Sequence, residues 1–257
     1  MGQEVARPPK LALAGLSKWF GGLRAVGDCS FEIASGTVVG LIGPNGSGKS
    51  TIFNLVTGLL RPDEGEILYD GERIDGLPTH QIARRGLGRT FQSVKLFRDL
   101  PVSENLAIAA MGRGLHGWEP RGDEWLARMG LTRLVHAPAG SLSIGQQRLL
   151  ELAMNLVVDP EFLLLDEPLA GVHPVIRGQI AQTLRDLRAR GRTLLVIEHH
   201  MPFVMGLCDK IVVMDHGMKI AEGPPEAIRA DPRVIAALLG RVERGGRAER
   251  GGHHAPA

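Results

Sequence analysis

One short run, Gly43-Pro44-Asn45-Gly46-Ser47-Gly48-Lys49-Ser50-Thr51, limits what this chain can fold into more than any other. It fits G-x-x-x-x-G-K-[ST], the P-loop pattern. Thr37 to Ile42 before it reads as a buried strand, and Ser50 to Val56 after it as an amphipathic helix. Strand, glycine loop and helix in that order are what phosphate binding requires. The glycines let backbone N–H groups turn inward around phosphate oxygens, and the helix N-terminus adds positive potential. Lys49 is expected to reach the β- and γ-phosphates and the Ser50 hydroxyl to sit on Mg²⁺. The run by itself implies MgATP or MgGTP.

Composition narrows the classes. At 257 residues the chain is long enough for one large α/β domain. Charge is balanced, with 30 Lys and Arg against 28 Asp and Glu, and aromatics are 4%. Neither a basic field nor a stacking platform speaks for nucleic acid. Cys29 and Cys208 sit in apolar segments and are expected as buried thiols of a reducing compartment. Met1 to Lys10 lacks the apolar core of a signal peptide, and no stretch is apolar for the length of a bilayer span. A membrane role would go through a partner.

The rest of the chain alternates strand and helix patterns. Residues 1–9 are expected as a mobile leader and 241–257, rich in Gly, Arg and His and including His253 and His254, as a disordered tail. Strands are expected at Leu11 to Phe20 and Asp28 to Ile33, with a hairpin at Glu66 to Ile74 turning on Asp70-Gly71. Helices are expected at Pro78 to Arg85, Val102 to Met111, Asp123 to Met129, Gly145 to Val158 and Pro174 to Arg190. Phe162 to Asp166 and Thr193 to Glu198 read as buried strands, and Ile211 to Ala221 as a hairpin around His216-Gly217.

Asp166-Glu167 follows a run of apolar residues. A strand delivering an Asp to a sheet edge is how a Walker B motif holds Mg²⁺, and the Glu beside it is placed to polarise a water. Leu142-Ser143-Ile144-Gly145-Gln146-Gln147 precedes a helix, and by its residues alone could be an ordinary N-cap. It stands between the P-loop and the Walker B. With these motifs in this order, residues 11–239 resemble the ATP-binding cassette (ABC) family.

The resemblance implies a P-loop α/β core, an antiparallel β layer and a helical lobe at about 94–158, together forming one domain over 10–240. It also implies roles. Ser143, Gly145 and Gln146 match the signature loop, with Ile144 where a second glycine is usual. Gln92 matches the glutamine that touches Mg²⁺ and links to the membrane partner. His199 matches the switch histidine on the γ-phosphate, and Phe20 the aromatic that stacks on adenine, with Trp19 as second choice. On residues alone Gln92 is a surface amide, His199 a loop histidine and Phe20 a core side chain. Expected catalytic residues are therefore Glu167, His199 and Gln92, and expected Mg²⁺ ligands are Ser50, Gln92 and Asp166. Ala170-Gly171-Val172-His173 departs from the usual Ser-Ala-Leu-Asp, and His200 stands where Asp commonly follows the histidine.

Gly88 to Gln92, Ile197-Glu198-His199 and Pro202 to Met205 look like ATPases of branched-chain amino acid, urea or amide importers, although the 107–139 region is shorter than that branch implies. The implied cofactors are ATP and Mg²⁺. The implied partners are a second ABC ATPase chain, separate permease chains with Leu96-Phe97 at the docking site, and indirectly a periplasmic solute-binding protein. The implied location is the cytoplasmic face of a bacterial inner membrane. Export or lipid extraction is the nearest alternative. A soluble ABC ATPase of DNA repair or translation needs a long coiled coil or a second cassette, which this sequence lacks.

Overall fold

The computed structural model describes residues 8–239. Residues 1–7 of the expected leader and the expected tail 241–257, with His253 and His254, lie outside the described residues.

Two sheets organise the molecule. The first is antiparallel, in the order β2-β1-β4-β5, from β1 (Leu11–Phe20), β2 (Leu23–Ile33), β4 (Glu64–Tyr69) and β5 (Glu72–Arg73). The Asp70-Gly71 turn joins β4 to β5 with both residues at positive φ, 51° and 80°, as a type I′ hairpin requires. Strand β2 starts at Leu23, earlier than expected, because Leu23 pairs with Phe20 directly across the Gly21-Gly22 turn.

The second sheet runs β10-β9-β3-β8-β7-β6. Its members are β3 (Val38–Ile42), β6 (Leu87–Arg89), β7 (Phe162–Asp166), β8 (Thr193–Ile197), β9 (Lys210–Asp215) and β10 (Met218–Gly223). All neighbours are parallel except the β9–β10 hairpin. Strands β3, β7 and β8 are buried along their whole length, which explains their unbroken apolar runs. Successive residues still serve opposite faces. Leu163 and Leu165 pack into one core, with the helices, while Phe162 and Leu164 pack into the other, beneath the antiparallel sheet.

Helices complete the domain. α1 (Lys49–Val56) follows β3, and α2 (Thr79–Arg84) precedes β6. Between β6 and β7 come α3 (Val102–Gly112), α4 (Glu119–Arg128) and α5 (Ile144–Val157). α4 begins ahead of the expected Asp123, because Pro120 suits a first helical turn and Trp125 and Leu126 bury its inner face. On α5, Leu149, Leu152 and Leu156 are buried as one stripe. α6 (Pro174–Ala189), α7 (Met201–Leu207), α8 (Pro225–Ala230) and α9 (Pro232–Leu239) finish the described chain. Among the described residues no helix is long and apolar enough to cross a membrane. Both cysteines are buried free thiols.

Parallel strands share a direction, so β3, β6, β7, β8 and β9 all deliver their C-terminal ends to one edge. That edge carries the P-loop, Arg89, Asp166, Glu198 and His216.

Candidate nucleotide site

The P-loop leaves β3 at Gly43 and enters α1 at Lys49. Its path needs glycine at two tight places. A Cβ on Gly43 would lie 2.1 Å from the Met214 carbonyl oxygen, and one on Gly48 2.5 Å from that of Ala25. Both have positive φ, 150° and 99°. The loop is also tied to the β9–β10 turn, since Gly217 N–H donates to the Ser47 carbonyl at 3.2 Å.

Lys49 is buried, 6% exposed, inside this turn. Its ammonium donates to the carbonyls of Gly43 and Pro44, both at 2.8 Å, and to Ser47 Oγ at 3.3 Å. All three acceptors are neutral. Burial pulls the Lys49 ammonium below its ordinary range, while Glu167 and Asp166 nearby pull it back up. A buried cation without a bonded carboxylate is poised for an anion.

A cleft of about 530 Å³ opens over the loop. Phe20, Lys49, Ser50, Gln92, Glu167 and His199 all reach it, as do Asn45 to Gly48 and Thr51. Phe20 is half exposed at the end of β1, with Lys18 Nζ 5.8 Å from its ring centre, whereas Trp19 is partly buried and does not line the cleft. Gly43 and Pro44 face an adjoining cavity that shares His199.

Glu167 and His199 meet at 2.9 Å, His199 Nε2 against Glu167 Oε1. Glu167 sits in the left-handed region, φ 48°, a conformation that strains a non-glycine residue by about 1–3 kcal/mol. Its N–H donates to the Ile197 carbonyl at 3.0 Å, which fixes the carboxylate beside the end of β8. Asp166 lies beneath, 5% exposed, and is not part of the cleft lining. Burial pushes its carboxyl up, against the Arg89 guanidinium.

The signature residues are elsewhere. Ser143 caps α5: its Oγ accepts from Gln146 N–H at 3.3 Å, and its own N–H donates to Gln146 Oε1 at 2.9 Å. Ser143, Gly145 and Gln146 do not line the cleft of their own chain. His173, one of the departures from the family pattern, caps α6, with Nδ1 accepting from Val175 N–H at 3.3 Å.

Several site residues were not singled out by the sequence reading. Glu198 is 4% exposed and accepts from Leu169 N–H at 2.8 Å, His199 N–H at 3.1 Å and His200 N–H at 3.3 Å. It ties the turn that carries His199 to the turn that follows β7. A carboxylate ending an apolar strand was the available signal. Arg148 and Glu151 on α5 grip the segment around Gln92. Arg148 donates to the Phe91 and Gln92 carbonyls at 2.7 and 2.8 Å, and Glu151 accepts from Phe91 N–H at 3.2 Å. His216 also lines the cleft. Of the expected docking pair, Leu96 packs on the core and Phe97 is half exposed. A groove of about 240 Å³ runs between the helical region and the sheet, lined by Ile82, Leu87, Arg89, Phe91, Ala109 and Met154 among others, and neither Leu96 nor Phe97 lines it.

The family model described as ABC transporter matches residues 26–170. The chain belongs to this family. A second model, described as branched-chain amino acid ATP-binding cassette transporter, matches residues 218–243 of this ABC protein. It is 42% identical to the high-affinity branched-chain amino acid transport ATP-binding protein LivG of Salmonella typhimurium, over 91% of this chain and 99% of that protein. It is 41% identical to the corresponding protein BraF of Pseudomonas aeruginosa, over the same shares. Among solved structures, an ATP-binding cassette of an ABC transporter in its ADP conformation is similar with TM-score 0.82 and 31% identity, covering 90% of this chain and 99% of that one. A nucleotide-free cassette gives TM-score 0.81 at 31% identity, covering 88% and 97%.

Proposed function

We propose that this chain is the ATP-hydrolysing subunit of an importer, taking up branched-chain amino acids or a related small polar solute through separate permease chains. The observation that carries it is the meeting of Lys49, Ser50, Gln92, Glu167 and His199 in one cleft, with Asp166 beneath. LivG and BraF, each named as a branched-chain amino acid transport ATP-binding protein, support the solute class.

The chemistry follows from the positions. Lys49 offers its charge to the β- and γ-phosphates. Glu167 accepts the proton of the attacking water, and His199, bonded to that carboxylate, orients the pair toward the γ-phosphate. Phe20 gives the base a face to stack on. The donor set also suits a hard divalent cation: Ser50 hydroxyl, Gln92 amide and Asp166 carboxylate are all oxygen donors. Among the described residues no group of three His, Cys, Asp or Glu side chains could hold a metal. The cation would thus depend on phosphate oxygens as well, and it would supply charge neutralisation to the transferring phosphoryl group.

Ser143 and the N-terminus of α5 serve the site of a second ABC chain. The cytoplasmic membrane face is the place of action, and a permease segment docks on the groove lined by Phe91 and on the half-exposed Phe97. Uptake of labelled leucine, isoleucine and valine in cells with and without the chain tests the reading. High-affinity uptake lost on deletion and restored by the wild-type gene supports it. Unchanged uptake of all three refutes the solute class.

A further inference from the structure

Arg89 is a charged side chain held almost wholly inside the protein, 9% exposed, at the end of β6. Its Nη1 donates to Asn54 Oδ1 and Thr57 Oγ1, both at 2.8 Å, at the far end of the helix that begins at Lys49. Its Nη2 lies 3.6 Å from Asp166 Oδ2, whose side chain is 7% exposed. The guanidinium lies over the rings of both Phe53 and Phe91, at 5.6 and 5.0 Å. Its Nε is buried and has no hydrogen-bond partner. A fold that needed only packing here would place an apolar residue, since an orphaned buried donor is unfavourable. This arginine is held from two sides and aimed at one carboxylate.

That carboxylate has little else to fix it. Thr90 Oγ1 accepts from the Asp166 backbone N–H at 3.2 Å, which settles the strand but not the side chain. Glu167 is a second negative charge next in the chain. Without Arg89, Asp166 would have only the more distant charges of Arg148 and Lys49 to set against Glu167, and no cation paired with its side chain among the described residues.

We propose that Arg89 is the positioning residue of Asp166: anchored on Asn54 and Thr57, it holds the carboxylate in the orientation that receives the divalent cation. The proposal rests on Asp166 as a cation ligand. It adds a physical tie between the P-loop helix, the Walker B strand and the segment that carries Gln92. It also makes Arg89, which lines the groove on its other side, common to both sites.

The test is binding, not turnover. Mn²⁺ replaces Mg²⁺ as the probe, and its uptake by the ATP-loaded full-length chain is followed by paramagnetic resonance. ATP affinity in chelator, without metal, is measured alongside. Arg89→Met is expected to leave metal-free ATP affinity within about two-fold and to weaken Mn²⁺ by about ten-fold, the lower end of what losing an outer partner does to a metal site. Asp166→Asn is expected to weaken Mn²⁺ at least as much. If Asp166→Asn leaves Mn²⁺ affinity unchanged, the ligand reading itself fails. If Asp166→Asn weakens it and Arg89→Met does not, the positioning role is overturned. Should Arg89→Met also lose metal-free ATP binding, Asn54→Ala decides instead. It loosens the anchor of Arg89 without touching phosphate or cation, and a smaller loss of Mn²⁺ affinity in the same direction is expected. No loss there overturns the proposal.

Discussion

The P-loop end and the signature end of this chain are both helix N-termini, yet they are finished to different degrees. At the P-loop, Lys49 is buried against neutral carbonyls, its ammonium held below its ordinary range by burial, and glycines at Gly43 and Gly48 remove the side chains that would fill the turn. Burial disfavours the charge there, and an arriving anion would offset that cost. At the signature, Ser143 and Gln146 satisfy one another in a closed capping box. On the function proposed above, the difference matches a first end that supplies binding energy and a second that completes the reaction.

Changes at the P-loop end should therefore be severe and local. Glu167→Gln is expected to lower phosphate release by about 10²–10⁴-fold, the usual contribution of a positioned base, with ATP still bound. Retained release in a purified assay would move the base to another group. Lys49→Ala is expected to weaken ATP binding on the order of 100-fold, about what losing charge-assisted hydrogen bonds to phosphate removes. Calorimetric titration showing near-normal affinity would erase the contrast between the two ends.

At the signature end the prediction inverts. Ser143→Ala is expected to destabilise the fold by about 1 kcal/mol through the lost cap, while ATP affinity of the isolated chain stays unchanged. Urea unfolding and nucleotide titration read the two effects separately. An affinity loss matching that of Lys49→Ala would place both ends in one site.

A separate effect, on stability and confined to alkaline pH, lies away from both ends. Burial pushes the Cys29 and Cys208 thiols up to about 12. An unfolded thiol ionises first, so the native state holds the proton longer and stability falls as pH rises from about 9 toward 12, by up to about 1.4 kcal/mol per pH unit for each thiol. Lys10 adds to the same loss above its ordinary 10.5: burial works against its charge, but hydrogen bonds to Asp70 and Glu161 prevail and raise it. Denaturation at stepped alkaline pH checks the slope, and a Cys29→Ala, Cys208→Ala double variant should flatten it.

Legibility in the sequence followed how far apart partners lie. The P-loop is self-contained: its glycines, lysine and flanking patterns sit in one run, so strand, loop and helix were readable from residues alone. The β4–β5 turn was readable for the same reason. Ser143 looks like an N-cap because locally it is one, and only the resemblance gave it a further role. Arg89 and Glu198 stand in motifs that the sequence displays, but no role of their own is legible there, because their partners, Asp166 and Leu169, lie far along the chain and meet them only through parallel strand order. His173 looked like an anomaly until its ring nitrogen was seen capping α6. The start of α4 was missed because Trp118 to Gly122 carries little periodic signal, and packing of Trp125 and Leu126 settles it.

The central claim is that two chains complete each other's sites. Mixing Lys49→Ala chains with Ser143→Arg chains and measuring phosphate release tests it most directly. Wild-type release per chain that rises with protein concentration establishes pairing under the same conditions. If the P-loop of one chain meets the signature of the other, a mixed pair holds one site in which both parts are intact. The mixture is then predicted to release phosphate faster than either variant alone. If each chain uses its own signature, no intact site forms in any pairing. A mixture no faster than the average of its components would contradict the account.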